Sequence, residues 1–197
     1  FIPTGFSPLD NLLDGGLYAG LYIIGAISSL GKTTFCLNVA DNIAQAGHDV
    51  LIFSLEMARN ELIAKSVSRI TLIKDLEENG STAHAKTTRG ILTGTRYADY
   101  SQTERELIQR SIASYAEYAK NIYITEGIGN VGVEEIREKV QKHIKLTGKA
   151  PVVLIDYLQI IAPADLRATD KQNTDKAVLE LKRLSRDYSI PIIGISS

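Results

Sequence analysis

Several residue types are scarce in this chain of 197 residues, and each scarcity excludes a class of protein. A single cysteine, Cys36, excludes a disulfide scaffold. The three histidines, at positions 48, 84 and 143, are too scattered for the ligand spacing of a zinc site. No apolar run is long enough to span a membrane and no signal peptide is visible, so we predict a cytoplasmic protein without membrane contact.

Excess charge is missing as well. The chain has 22 lysines and arginines against 23 aspartates and glutamates, which gives a net charge of −1. This balance argues against nucleic-acid binding through a broad basic face, although it leaves room for a few basic loops. The length suits one domain with a substantial core. Because the chain starts at Phe1 and stops at Ser197 directly after an apolar run, we interpret it as a piece of a longer protein.

Apolar, strand-like runs alternate along the chain with helical patterns. This alternation predicts an α/β fold, with a mostly parallel sheet covered by helices on both faces. The predicted strands are residues 21–26, 50–54, 122–125, 152–156 and 190–195. The predicted helices are residues 32–46, 59–73, 101–120, 133–146 and 174–188, with a capping box at Ser101 and Glu104 and a C-terminal glycine at Gly148.

The strongest functional signal is residues 22–34, YIIGAISSLGKTT, where an apolar strand leads into a Gly-Lys-Thr turn and a helix. Such a loop turns its backbone N–H groups inward beside the positive end of the helix dipole, so the segment predicts phosphate binding. We expect Lys32 to reach the β- and γ-phosphates of ATP and the Thr33 hydroxyl to bind Mg²⁺. The residues expected to bind the nucleotide are Ser28, Ser29, Leu30, Gly31, Lys32, Thr33 and Thr34.

One position departs from the usual phosphate-loop pattern. The pattern has glycine four residues before the Gly-Lys pair, where this chain has Ala26, with Gly25 one step earlier. Alanine fits that position if its φ angle is negative, so the strict pattern fails while the mechanism is retained. The alternative is a chance Gly-Lys-Thr sequence at the start of an ordinary helix.

Two carboxylates follow predicted strands. Asp156 ends the strand PVVLID, and beside a phosphate loop it is suited to hold Mg²⁺ through the waters of the ion. Glu56 comes just after the strand at 50–54, in LIFSLEM. It is placed to polarise the water that attacks the γ-phosphate, or else it begins the next helix, where an acid suits the helix dipole. The spacing alone leaves both interpretations of Glu56 open.

These segments resemble the ATPase domain of DnaB-type replicative DNA helicases. The likeness rests on SLGKTTF, LIFSLEM and VVLIDYLQII, and it extends to TGFSPLDNLLDGGLYAG, RGILTG, KNIYIT and IPIIGISS. It spans essentially the whole chain in the family's order, and SLEM and IDYLQ are specific to that branch. The wording around the phosphate loop also resembles helicase modules of mobile elements, in which such a domain can be fused to a primase.

The resemblance implies a RecA-like P-loop NTPase fold, in which the strand near 190–195 lies between the phosphate-loop strand and the strand of Asp156. It assigns nucleotide and Mg²⁺ binding to Lys32 and Thr33. It assigns Mg²⁺ binding to Asp156 and the role of catalytic base to Glu56. It also implies a homohexameric ring that translocates on single-stranded DNA. The family's DNA-binding loops and arginine finger lie beyond the part represented here, so we expect this chain alone to be monomeric and weakly active.

Three departures from the family limit this transfer. The family has Arg-Pro where this chain has Ile27 and Ser28. Its sensor glutamine falls on Ser197, whose shorter hydroxyl puts γ-phosphate sensing in doubt. Residues 74–94 form a polar insertion, longer than in the typical helicase, that carries Lys86. This insertion is either a solvated segment or a loop that contacts DNA or a neighbouring subunit.

Two alternative functions remain. A RecA- or KaiC-like ATPase shares these residue types, although such relatives usually have a small residue after the strand-ending aspartate, where this chain has Tyr157. A loader or regulator that binds nucleotide without turnover is the other alternative, and it is favoured by Ser197 and by the unusual phosphate loop. ATP turnover with and without single-stranded DNA separates the three functions.

Overall fold

The structure, a computed structural model, describes residues 1–25, 29–127, 131–158 and 166–196, with the backbone alone at Ser29 and Leu30. The chain forms two compact units. The first, which we call the sheet unit, consists of residues 1–56 and 121–197. The second, which we call the helical unit, consists of residues 57–120.

Strands and helices alternate in the described residues as the sequence predicts. The strands are β1 Gly20–Gly25, β2 Val50–Ser54, β3 Ile122–Glu126, β4 Val152–Asp156 and β5 Pro191–Ser196. The helices are α1 Ser7–Leu12, α2 Ser29–Gln45, α3 Arg59–Asn79, α4 Thr88–Leu92, α5 Gly94–Asp99, α6 Gln102–Ala119, α7 Val133–Thr147 and α8 Asp170–Tyr188. None of these helices is long and apolar enough to cross a membrane.

The strands form one parallel sheet in the order β1-β5-β4-β2-β3. The strand β5 therefore lies between β1, which leads into the phosphate loop, and β4, which ends at Asp156, as the family resemblance predicts. Both β2 and β4 are buried at every position, which explains why they are uninterrupted apolar runs in the sequence. The predicted parallel sheet is confirmed.

The core of the sheet unit joins three strands to two helices. Its buried members include Phe53 of β2, Ile155 of β4, Ile192 of β5, Ile136 and Val140 of α7, and Leu181 and Leu184 of α8. Side chains at this depth pack closely and tolerate little displacement. This packing therefore holds the ends of the central strands at fixed positions, and the candidate site is built on those ends.

Two predicted helix boundaries were wrong, for local reasons. The helix α8 begins at Asp170 rather than at 174, because Thr169 and Gln172 form a capping box that the sequence analysis missed. The helix α3 continues from the predicted end at 73 to Asn79, and it stops at Gly80, whose φ is +66°. The predicted C-terminal cap at Gly148 is confirmed, with a φ of +72°.

Regular structure extends into residues 74–94, the segment predicted as a polar insertion. Its first six residues, 74–79, complete α3, and α4 lies near its end. Asp75 within it is fully buried. The short helices α1, α4 and α5 were not predicted, because five or six residues are too few to show a helical period in the sequence.

Candidate nucleotide-binding site

The carboxyl ends of four strands lie in one row. The sheet register pairs Gly25 with Ser196, Ile195 with Asp156, and Asp156 with Ser54. The phosphate loop follows β1, so it begins one strand away from β5 and two strands away from β4. Ligands of open α/β sheets bind at such carboxyl ends. This row is therefore the place to look for the predicted site.

Lys32 lies near the start of α2 and is nearly fully buried, with 4% of its surface exposed. Its Nζ donates a hydrogen bond to the backbone oxygen of Ser196, at the end of β5. Among the residues that the structure describes, it forms no ion pair. A buried ammonium is costly unless an opposite charge compensates it. The arrangement therefore suits an anionic ligand such as a phosphate.

Thr33 and Asp156 meet at the same place. The Thr33 hydroxyl donates to Asp156 Oδ2 at 3.3 Å, and Asp156 is only 4% exposed. A carboxylate and a hydroxyl are oxygen ligands of the kind that Mg²⁺ prefers. The described part of the chain contains no group of three or more His, Cys, Asp or Glu side chains able to hold a metal ion by themselves. This fits Mg²⁺, which keeps several waters and takes one or two carboxylates.

Cys36, one helical turn after Thr33, is a packed residue and not a reactive one. It is 1% exposed, and burial, followed by the charge of Asp156, raises the pKa of its thiol to about 12. The thiol is the unreactive form of cysteine, so Cys36 remains a small apolar side chain beneath the site.

Glu56 lies just beyond β2 and is exposed. The N–H of the preceding Leu55 donates to the backbone oxygen of Asp156 at 2.9 Å, so the chain passes directly beside the end of β4. The next helix, α3, begins only at Arg59, and the acid in its first turn is Glu61. The structure therefore gives no support to the interpretation of Glu56 as a helix-start residue.

Tyr157 is a site residue that the sequence analysis used only as a family marker. Burial raises the pKa of its hydroxyl, and so do, in decreasing order, the charge of Glu56, a hydrogen bond with Glu56 and the charge of Asp156. The phenol therefore stays neutral and donates to the Glu56 carboxylate. The signal that could have identified Tyr157 is its place directly after a strand-ending aspartate, level with the residues that follow β2.

The predicted site residues are thus only partly placed. The structure brings Lys32, Thr33, Asp156 and Glu56 together at the carboxyl end of the sheet. Ser29 and Leu30 contribute backbone to the first turn of α2, and Gly31 and Thr34 are exposed there. The predictions for Ala26, Ile27, Ser28 and Ser197 lie outside the described residues.

Comparison with known proteins identifies the family. A family model described as "DnaB-like helicase C terminal domain" matches residues 2–197. The chain belongs to this family. The match covers nearly the whole chain, as the sequence resemblance does, and it includes every residue of the candidate site.

Curated relatives of this DnaB-like chain are longer than the chain itself. "Replicative DNA helicase DnaC" of Bacillus subtilis is 31% identical over 198 residues. "Replicative DNA helicase DnaB" of Geobacillus stearothermophilus is 30% identical over 200 residues. Each alignment covers 99% of this chain but 39% of the relative.

Solved structures show the same fold. A helicase ATPase domain aligns with a TM-score of 0.82 at 26% identity, covering 99% of this chain and 63% of that domain. The structure described as "The Structure Of A DnaB-Like Replicative Helicase And Its Interactions With Primase" aligns with a TM-score of 0.80 at 25% identity, covering 99% of this chain and 44% of that one. The predicted RecA-like fold is confirmed.

Proposed function

We propose that this chain is the ATP-hydrolysing motor domain of a replicative DNA helicase, and that it binds ATP and Mg²⁺ at the carboxyl ends of β1, β5 and β4. The observation that carries the proposal is the buried Lys32 beside the Thr33–Asp156 pair at the start of α2. Membership of the DnaB-like helicase family supports the same activity.

The start of α2 would bind the phosphates of the nucleotide. The first N–H groups of any α-helix lack partners within the helix, so the backbone of Ser29, Leu30 and Gly31 offers donors to phosphate oxygens. Lys32 would turn its Nζ from the Ser196 carbonyl oxygen to the β- and γ-phosphates. That exchange gives the buried ammonium the opposite charge that the described residues do not supply.

The acidic residues of the row would handle the metal and the attacking water. The Thr33 hydroxyl and the Asp156 carboxylate would hold Mg²⁺, and when bound the ion neutralises charge on the β- and γ-phosphates. Glu56 would accept the proton of the water that attacks the γ-phosphate. General-base catalysis of this kind commonly contributes about 10²–10⁴-fold to a rate.

The partners of the whole protein belong to the same proposal. We infer that the full-length protein translocates on single-stranded DNA as a homohexamer and that primase is a further partner. The names of the curated relatives and the described interaction of the solved neighbour with primase support this inference. This chain spans 39% of those relatives, so alone it is proposed to be monomeric, slow in hydrolysis and unresponsive to DNA.

Asp156→Asn tests the site through nucleotide binding. We expect Mg²⁺ to strengthen the binding of a fluorescent ADP analogue to the parent chain, and this Mg²⁺ dependence to be largely lost in Asp156→Asn, because the amide lacks the negative charge. The matched control is Asp187→Asn, which removes only an exposed ion pair with Arg137, 3.1 Å long. Equal Mg²⁺ dependence in the two variants would contradict the proposed site.

The motor function needs a separate assay. ATP turnover and strand unwinding by the full-length protein, with and without single-stranded DNA, distinguish a helicase from a protein that only binds nucleotide. Nucleotide binding without turnover would favour a loader or regulator.

A further inference from the structure

The end of the β2–β4 ladder brings Tyr157 beside Glu56. The two strands pair Ser54 with Asp156, and the bond from Leu55 N–H to the Asp156 carbonyl oxygen, 2.9 Å long, continues the parallel register past both strand ends. The next residue on each chain segment is Glu56 on one side and Tyr157 on the other. Their closeness is therefore a consequence of the sheet register and does not depend on a flexible loop.

A hydrogen bond links the two side chains. The Tyr157 hydroxyl bonds to the Glu56 carboxylate. Glu56 is exposed, whereas Tyr157 is partly buried. An exposed glutamate has several rotamers of similar energy, and a fixed donor selects one of them. A carboxylate also has acceptor sites on both oxygens, so one phenol donor leaves the second oxygen available to a water.

We propose that Tyr157 is a positioning residue, whose hydroxyl fixes the Glu56 carboxylate in the orientation that accepts a proton from the attacking water. This inference rests on the proposed function, because it takes Glu56 to be the general base. Burial and the negative charge of Glu56 both raise the pKa of the Tyr157 hydroxyl, which agrees with a neutral donor at this position.

The proposal predicts a particular kinetic signature. In single-turnover experiments with the chain in excess over labelled ATP, Tyr157→Phe should lower the hydrolysis rate constant about tenfold or more, because small misplacements of reacting groups can cost up to about 10²-fold. The affinity for a fluorescent ADP analogue should stay unchanged, since the phenol does not touch the phosphate-binding residues. Tyr123→Phe, a matched loss of one phenol on β3, should leave both quantities unchanged.

A double-mutant cycle separates positioning from a general structural role. In the Glu56→Gln background, where the base is already absent, Tyr157→Phe should cause no further decrease in rate. An equal decrease in both backgrounds would overturn the proposal, and so would a rate equal to or above that of the parent in the single variant Tyr157→Phe. Unchanged hydrolysis in Glu56→Gln would instead contradict the role of Glu56 in the proposed function.

A spectroscopic measurement tests the contact without relying on activity. The carboxylate carbon resonance of Glu56, identified by its absence in Glu56→Gln, should shift in Tyr157→Phe and not in Tyr123→Phe. The melting temperatures of the two phenylalanine variants show whether each is folded. An unshifted Glu56 resonance in folded Tyr157→Phe would show that the hydrogen bond is absent, and it would overturn the inference whatever the fate of the proposed function.

Discussion

Two regions of this molecule each combine a buried aspartate with a lysine, and they treat those charges differently. In the helical unit, Asp75 accepts hydrogen bonds from Asn79 Nδ2 at 2.8 Å and from the N–H groups of His84 and Ala85 at 2.8 and 3.1 Å. Lys86 there is paired with Glu104 and lies over the Tyr100 ring, with its Nζ 4.6 Å from the ring centroid. The helical unit supplies its own counter-groups.

The sheet unit keeps its lysine without such a counter-charge. Lys32 meets a backbone carbonyl oxygen, and within the described ranges no carboxylate pairs with it. Asp156 lies beside the hydroxyl of Thr33 at the start of a long helix. The comparison teaches that a buried charge satisfied within the fold serves stability, whereas one left to a carbonyl and a helix terminus is suited to a ligand.

The same comparison bears on residues 74–94. The sequence leaves open whether Lys86 is solvated or contacts DNA or a subunit. In the structure, its ammonium is held by Glu104 and Tyr100. Arg89 and Arg96 are exposed, so a DNA contact from this segment remains a prediction for those two arginines.

The largest expected effect comes from removing each lysine in turn. Lys32→Ala should abolish nucleotide binding or turnover while keeping the melting temperature near that of the parent, because it removes a cation for phosphate and also an uncompensated buried charge. Lys86→Ala should do the reverse, leaving nucleotide binding unchanged and lowering the melting temperature. Nucleotide titration and thermal melting on the same samples measure both. ATP hydrolysis at the parental rate in Lys32→Ala would contradict the phosphate-loop assignment.

Asp75→Ala should be the most damaging change to stability in the helical unit. It leaves the N–H groups of His84 and Ala85 without their acceptor, and buried donors without partners are costly. We expect the melting temperature to fall by roughly 5 °C or more, since one unit of lost interaction moves it by several degrees in a chain of this size. The matched control is Glu77→Ala, an exposed acid on the same helix, which should change little.

The sheet and its row of site residues could be predicted from sequence for a physical reason. Parallel strands that are buried on both faces are continuous apolar runs, and the polar residues that follow them, here Glu56 and Asp156, must lie at the same end of the sheet. Spacing alone could not predict the strand order, which came from the family resemblance. Spacing also could not separate the two roles of Glu56, since that depends on where α3 begins.

The polar network of the helical unit could not be predicted in the same way. Asp75, His84 and Glu104 are far apart in the sequence and follow no helical or strand period, so nothing in the pattern pairs them. Aspartate is also rarely fully buried, which makes exposure the natural expectation for Asp75. Tyr157 was missed for a related reason, because its partner Glu56 comes from another strand end a hundred residues earlier in the chain.

Acid should weaken the helical network in a defined pH range. Hydrogen bonds from Lys86, and then from the Ser101 N–H, lower the pKa of Glu104 from its ordinary value of 4.5 to about 2. A lowered folded-state pKa means that this stabilisation is fully present above about pH 4.5 and is lost as the pH falls toward 2. The pKa of Asp75 is lowered too, chiefly by Asn79, and adds in the same direction. The loss of melting temperature across this range should be smaller in Glu104→Gln than in the parent, and equal slopes would contradict the assignment.

The smallest expected effect compares one motif in the two units. Ser101 and Glu104 form the predicted capping box of α6, with bonds of 3.2 and 3.0 Å, and Thr169 and Gln172 form the same box at α8, with bonds of 3.1 and 2.9 Å. Loss of an N-cap side chain typically costs about 1 kcal/mol, so both Ser101→Ala and Thr169→Ala should lower the free energy of unfolding by about that amount. Ser101→Ala should cost more, because Glu104 also holds Lys86 and the cap helps to fix its carboxylate. Denaturant unfolding of both variants measures the difference, and the extra cost should disappear when Ser101→Ala is combined with Lys86→Ala. An equal cost in all backgrounds would mean that the box at α6 acts as a helix cap alone and not as part of the charge network.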